Sequence, residues 1–280
     1  MWNMSAKSAA FGDLIQLVGL RHKSYIFTLT EDRELHTHRG VIKHNDINGL
    51  PFGSKILSHN ESPFFLLQPS LSDILVDLKR ITQILYPKDI GYILLQMGVG
   101  EGQQIIEAGT GSGAMTIALA HTIGSIGTIY SYDQKQEFQN LAKKNIKLLG
   151  LENRVVFKIR DIQEGFDEEN VDAIFLDVIN PYDYIEQVKK SLKPGGFFSC
   201  LVPTTNQVSR LLHQLRLNKF AFLEVVEVLL RFYKPEPERL RPTDRMVAHT
   251  GFLIFGRSLL SEYDFDKIND QSDIQVIDES

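Results

Sequence analysis

The residues best suited to chemistry stand together in the run Glu107-Ala108-Gly109-Thr110-Gly111-Ser112-Gly113-Ala114-Met115. An apolar stretch, Gln104-Ile105-Ile106, leads into Glu107, and a helical pattern opens at Ala114. A strand therefore feeds a helix through a loop almost without side chains, where backbone can turn tightly and approach a ligand. A second acid, Asp133, ends the next apolar run, Gly127-Thr128-Ile129-Tyr130-Ser131-Tyr132. An acid about 20 residues beyond a glycine turn grips a ribose diol in nucleoside-binding α/β folds. The chemistry indicated is the binding of a nucleoside-containing cofactor.

The spacing Gly109-x-Gly111-x-x-Ala114 fits the dinucleotide fingerprint, a weak match by itself. Two details favour S-adenosylmethionine over NAD. Glu107 would repel a pyrophosphate but can hold an α-ammonium group, and Gly113 replaces the first helical turn that a pyrophosphate would need. A glycine turn that only packs a helix on a sheet would leave the two acids at matching offsets unexplained.

Asp161 and Asp177 follow further apolar runs, 155–159 and 171–176. Ligands of open parallel sheets bind outside the carboxyl ends of the strands, so Glu107, Asp133, Asp161 and Asp177 are expected on one rim. Any one of them reads equally well as a cap or turn residue. Four beside a glycine loop read as a site. Asp161 is the expected acceptor for an adenine amino group, with Ile162 and Gln163 close behind, and a generic turn competes with that reading. Cys200 is the only cysteine; placed inside a strand, it reads as a buried structural thiol rather than a nucleophile. Asn180-Pro181-Tyr182 resembles the Asp/Asn-Pro-Pro-aromatic motif of exocyclic-amino methyltransferases but lacks the second proline, which makes amino methylation the runner-up. His36-x-His38 has no third ligand nearby, so a polar loop or interface is expected and no metal.

The elements that must position these residues follow from patterning. The chain has 280 residues, 43% of them hydrophobic and 23% charged, the composition of an ordinary soluble globular protein. No apolar run has the length of a membrane span, and the N-terminus lacks the layout of a secretory signal. A cytoplasmic protein is the simplest reading. The formal net charge of −5 argues against indiscriminate nucleic-acid binding. Short β-like runs at 14–18, 24–29 and 64–67 predict a small β-domain over residues 1–69. Residues 70–98 look helical, with Pro87 placed to open the second helix. From 103 to 257, strands (104–107, 127–132, 155–159, 171–176, 196–202, 222–230, 251–255) alternate with helices (113–123, 134–149, 182–192, 206–217). That alternation predicts an α/β, Rossmann-like, mainly parallel sheet over 70–258. The last two strands lack an intervening helix, which allows an antiparallel final strand and favours methyl transfer by fold analogy. Residues 259–280 read as an acidic, flexible tail. Between the last two strands Arg231, Lys234, Arg239, Arg241 and Arg245 gather charge, either an ordinary solvated loop or a track for nucleic-acid phosphates.

Several segments together resemble the tRNA adenine-N1 methyltransferases that act on adenosine 58 of the T-loop. They are His36-Thr37-His38-Arg39-Gly40, Tyr86-Pro87-Lys88-Asp89, the block from Glu107 to Gly113, Gln207-Val208 and His249-Thr250-Gly251-Phe252. The resemblance runs from about Gly12 to Arg257. It implies a class I methyltransferase fold, tRNA as partner and a homotetramer. By position it implies that Gly109 to Met115 cradle the methionine part of the donor, with Gln68 beside them. Asp133 would bind the ribose, Asp161 and Gln163 would flank the donor's adenine, and Asp177 would be the catalytic acid. Tyr86 would wall the target-base pocket, and His249 and the arginines of the basic run would meet the RNA. Leu201 stands where the family often has an aromatic residue. Some relatives also modify nucleotide 57, and some eukaryotic paralogues bind tRNA without catalysis.

Overall fold

The computed structural model describes residues 2, 5–79, 85–246 and 249–263. The expected tail therefore lies outside the described residues from 264 onward. At the N-terminal end the elements are β1 (Leu14–Gly19), β2 (Ser24–Thr28), β3 (Glu34–Thr37), β4 (Gly40–Lys43), β5 (Lys55–Leu57) and β6 (Pro63–Leu67). Four of them form an antiparallel sheet in the order β2-β1-β6-β5, and β3 pairs with β4 as a separate hairpin. This sheet closes over its own core, where Ile15, Leu17, Leu29, Phe64 and Leu66 are fully buried. The hairpin carries the residues expected on a polar loop or interface: His36 lies on β3, and His38 and Arg39 form the turn. Its side chains are mostly polar, so it lacks the apolar alternation that marks a strand in sequence.

Helix α1 (Leu71–Asp77) starts from a capping box between Ser70 and Asp73, which satisfies two backbone donors that the first turn leaves open. Helix α2 (Pro87–Gln96) has Pro87 in its first turn, as the sequence predicts. The remaining elements are β7 (Gln104–Ala108), α3 (Ala114–Thr122), β8 (Thr128–Asp133), α4 (Gln136–Leu148), β9 (Val155–Ile159), β10 (Val171–Leu176), α5 (Ile185–Ser191), β11 (Leu192–Val202), α6 (Thr205–Leu217), β12 (Phe220–Val226), β13 (Tyr233–Lys234), β14 (Arg241–Pro242) and β15 (Phe252–Ser258).

Seven of these strands form one sheet in the order β12-β15-β11-β10-β7-β8-β9. Neighbours from β11 through β9 run parallel, while β15 lies antiparallel between β11 and β12. Alternate residues face opposite layers, as the strand period requires. Ile105, Ala173, Phe175 and Phe255 pack toward α2 and α3, whereas Ile106, Ile174, Leu176, Phe198 and Ile254 pack toward α5 and α6. Helix α3 is buried from Ala114 to Ala120, which explains why four of those positions can be no larger than Ala or Thr.

Several boundaries differ from the sequence reading, two of them most. Strand β12 ends at Val226 rather than 230, because its pairing with β15 runs out at Val226 opposite Leu253. Strand β11 begins at Leu192, where it meets Val171 before a register shift. Phe198 is 1% exposed and its ring lies 5.6 Å from that of Phe220. We predict that Phe198→Ala lowers the unfolding free energy by about 3–5 kcal/mol, the range for emptying a buried aromatic site. A urea titration showing less than about 1 kcal/mol would mean that this layer is not closed there.

Candidate active site at the switch point of the sheet

Strand β7 has β8 on one side and β10 on the other, so the chain order reverses about it. Such a switch point opens a crevice at the carboxyl ends of the strands. The crevice is tight at its base. Asp177 donates its backbone N–H to the Ala108 carbonyl at 2.8 Å. Gly109 follows with φ +97°, and a Cβ there would lie 2.1 Å from the Asp177 carbonyl oxygen. Only glycine meets both conditions. Gly113 is constrained from the other side, since its Cβ would stand 2.9 Å from that of Ala142 on α4.

Glu107 is 1% exposed. Its Oε2 accepts hydrogen bonds from Thr116 Oγ1 at 2.5 Å and Ser131 Oγ at 2.7 Å, while Oε1 is buried without a partner among the described residues. Ser131 lies directly across from Glu107 in the β7–β8 register, so the strand pairing itself supplies one of these bonds. Burial pushes the carboxyl up to about 8, with Asp177 and Asp133 adding repulsion against the two hydroxyls. Asp133 is oriented by backbone: Oδ2 accepts from Gly111 N at 3.2 Å and Oδ1 from Lys135 N at 2.9 Å. Asp177 is exposed at the mouth of the crevice, yet crowding by protein takes water from its carboxyl and raises it to about 6.

Three cavities meet at Asp177. The smallest, about 40 Å³, is lined by Leu85, Glu107, Gly109 to Ser112, Ala114, Met115, Phe175 and Asp177. The second, about 330 Å³, runs past Gly109, Asp133, Lys135, Phe138, Ile162, Asp177, Asn180 and Tyr184. The third, about 210 Å³, lies between Leu85, Tyr86, Asp89, Asp177, Leu201, Pro203 and Thr250. Leu201 thus lines this pocket, and Gly251 packs against it closely enough that a Cβ would lie 2.9 Å from its side chain.

Other expected residues stand further out. Asp161 caps the short turn Ile162–Glu164 through Gln163 N at 2.9 Å, which presents Ile162 to the second cavity. Gln163 itself lines a separate hollow with Glu164, Glu168 and Glu169, and its carbonyl accepts from Gln187. Gln68 donates to the Ala6 carbonyl at 2.9 Å. His249 has Nδ1 2.7 Å from Glu227 and Nε2 3.0 Å from the Pro203 carbonyl. That carbonyl and then Glu227 hold the imidazole above its usual range, and its ring lies 4.9 Å from that of Phe252. Arg231, Arg239, Arg241 and Arg245 are exposed on or beside the β13–β14 hairpin. Cys200 is fully buried, its thiol pushed well above the usual range by burial.

The sequence reading missed Phe138, Tyr184, Asp89 and Thr250 as lining residues. Phe138 could have been found from its place on the first turn of the helix after Asp133. The meeting of Asp89 and Thr250 has no local signal.

The family model described as the tRNA methyltransferase complex GCD14 subunit matches residues 64–249, and a TrmI-like N-terminal model matches residues 10–56. The tRNA (adenine(57)-N(1)/adenine(58)-N(1))-methyltransferase TrmI of Methanocaldococcus jannaschii is 32% identical over 86% of this chain and 93% of its own. Among solved structures, a SAM-dependent O-methyltransferase from Thermotoga maritima superposes with TM-score 0.88 at 42% identity, covering 94% of this chain and 99% of that one. The tRNA (m1A58) methyltransferase TrmI from Aquifex aeolicus gives 0.79 at 37%, covering 91% and 100%. With a glycine loop at the switch point of a class I methyltransferase sheet and both of its halves matched, the chain belongs to the tRNA methyltransferase family of the GCD14 subunit and TrmI.

Proposed function

We propose that this chain transfers a methyl group from S-adenosylmethionine to N1 of adenosine 58 in the tRNA T-loop. The observation that carries the reading is the place of Asp177, which borders all three cavities at once. One side chain then stands where a donor and an acceptor of the methyl group would meet. Adenosine 57 is the second target to examine, because the Methanocaldococcus relative's name carries both positions.

The residues fit the donor. The unpartnered Oε1 of Glu107 suits an α-ammonium group, and Asp133, aimed by two N–H groups, suits a ribose diol. Ile162 and Phe138 offer apolar walls to an adenine. When bound, S-adenosylmethionine supplies an electrophilic methyl group on sulfonium. Tyr86 and Leu201 flank the space for the target base, which must leave its stack to enter. The Asp177 carboxylate accepts a hydrogen bond from the base's exocyclic amine, orients N1 and stabilises the positive charge that develops on the ring. The arginines of the hairpin take the RNA phosphates. Methylation of an exocyclic amine is less well supported, since Asn180 accepts from Tyr182 Oη at 2.7 Å and so has its oxygen engaged. A non-catalytic paralogue would have no need of the glycine loop and both acids.

We further assign residues 1–69 to a small β-domain and 70–258 to the methyltransferase domain, supported by the separate core of the first sheet. A homotetramer working in the cytoplasm completes the reading. It is supported by the exposed apolar side chains of Phe222, Leu229, Phe232 and Leu240, which a subunit contact would cover. The deciding experiment incubates the purified protein with unmodified tRNA and labelled donor, then identifies the methylated nucleoside and its position by mass spectrometry of nucleoside and oligonucleotide digests. Label in 1-methyladenosine at position 58 supports the proposal; label only in another nucleoside overturns it.

Asp177→Asn should lower kcat by about 10²-fold or more at saturating donor, the scale of losing one electrostatic transition-state contact. Because the carboxylate is the working form and its value lies near 6, the parent's kcat should rise about tenfold per pH unit below 6 and level off above it. The variant should lack that rise. Asp133→Ala should weaken donor binding by about 1.5–3 kcal/mol, and unchanged affinity in calorimetry would remove Asp133 from the donor site. Replacing Arg239 and Arg241 with Ala should flatten the salt dependence of tRNA binding by about 0.7–0.9 in slope per lost phosphate contact. An identical slope would mark the hairpin as an ordinary surface loop.

A further inference from the structure

The floor of the third cavity contains an ion pair that the proposed reaction leaves unexplained. Lys88 is 9% exposed at its side chain and Asp89 1%. Lys88 Nζ donates to Asp89 Oδ1 at 2.7 Å, to the Val228 carbonyl at 2.8 Å and to Thr250 Oγ1 at 2.7 Å. Thr250 Oγ1 in turn donates to Asp89 Oδ2 at 3.0 Å. All three donors of the ammonium are aimed, and both carboxylate oxygens are engaged. Burying such a pair is costly unless its remaining groups are satisfied, and here they are.

What the pair holds is specific. Val228 and Thr250 are the two roots of the segment that leaves β12, forms the basic hairpin and returns to β15. The roots are also joined to each other by Glu227 and His249, and His249 ties them to Pro203 at the end of β11. Asp89, Pro203 and Thr250 line the same cavity as Tyr86 and Asp177. A single ammonium on the first turn of α2 therefore fixes the base of the arginine-bearing arm against the wall of the pocket.

We infer that Lys88 is a positioning residue for the methyl transfer, holding the roots of the basic arm so that RNA bound along the arm delivers its base to Asp177. The inference rests on the proposed function. It separates two properties that usually move together. The arm's phosphate contacts are made by exposed arginines and survive a loosened root; the register between those contacts and the pocket does not.

The test uses Lys88→Met, which keeps most of the stem. Because it leaves Asp89 buried without its cation, Thr250→Val is made in parallel, with Thr250→Ser as the conservative control that keeps the hydroxyl. The expected result is a fall in kcat of about tenfold or more for Thr250→Val at saturating donor and tRNA, and near-parental kcat for Thr250→Ser. The dissociation constants for S-adenosylmethionine and tRNA, and the salt slope of tRNA binding, should stay within about twofold of the parent. Lys88→Met, where folded, should show the same split. Parental kcat in a folded Thr250→Val overturns the inference. So does a loss of donor affinity in step with kcat, since that would mark a general structural role. A parent chain that binds donor and tRNA but methylates no tRNA would overturn the proposed function, and the inference would fall with it.

Discussion

A carboxyl withdrawn from water is expensive to keep charged unless positive charge or several hydrogen bonds accompany it. Glu107 has two hydroxyl donors, two neighbouring acids and one oxygen with no partner among the described residues. It is buried at the point where the sheet's order reverses, and much of the site is arranged in response. Ser131 is opposite it because β7 and β8 pair in that register, and Thr116 reaches it because α3 begins directly after the glycine loop. The sign of its effect on stability follows from the raised value. The folded chain keeps this proton up to about pH 8, whereas an unfolded chain releases it near 4.5. Its contribution to stability is therefore fully present below about 4.5 and is lost as pH rises toward 8. A cationic group entering the cavity would reverse that penalty.

The outer half of the site obeys a different physics. Around Tyr86, Leu201 and Thr250 the walls are apolar or neutral apart from the carboxyls of Asp89 and Asp177, and the Lys88 ammonium lies behind them. Two short blocks 162 residues apart in the chain, at Lys88 and Thr250, meet there through side chains alone. The inner half is thus built by backbone, with glycines, strand register and N–H groups fixing the acids. The outer half is built by buried side-chain contacts between distant segments.

That division explains what could be read from the sequence. The glycine loop, Glu107, Asp133 and Asp177 were legible because backbone requirements leave local marks: an apolar run, an acid at its end, a residue that tolerates positive φ. The parallel sheet followed from alternation, and its antiparallel last strand from the missing helix before it. Gln163 was expected at the donor's adenine by closeness in sequence, yet the cap formed by Asp161 turns it toward Gln187 and another hollow. The hairpin of β3 and β4 was hidden by its short strands, in which Leu35 and Ile42 form the one apolar pair. Asp89 and Thr250 were quoted within family blocks, but nothing in periodicity says that they touch. His249 was expected to meet the RNA, and the structure gives both of its ring nitrogens to contacts within the chain.

The contact between Gly109 and the carbonyl of Asp177 also bears on how such a site can change over generations. A side chain at 109 would strike backbone rather than a movable side chain, so no compensating substitution at 177 could relieve it. Position 109 is thereby held to glycine whatever side chain stands at 177. Leu201 and Tyr86 meet the third cavity through side chains only and carry no such restriction. Substitution at these two positions can therefore reshape the third cavity while the glycine loop stays fixed.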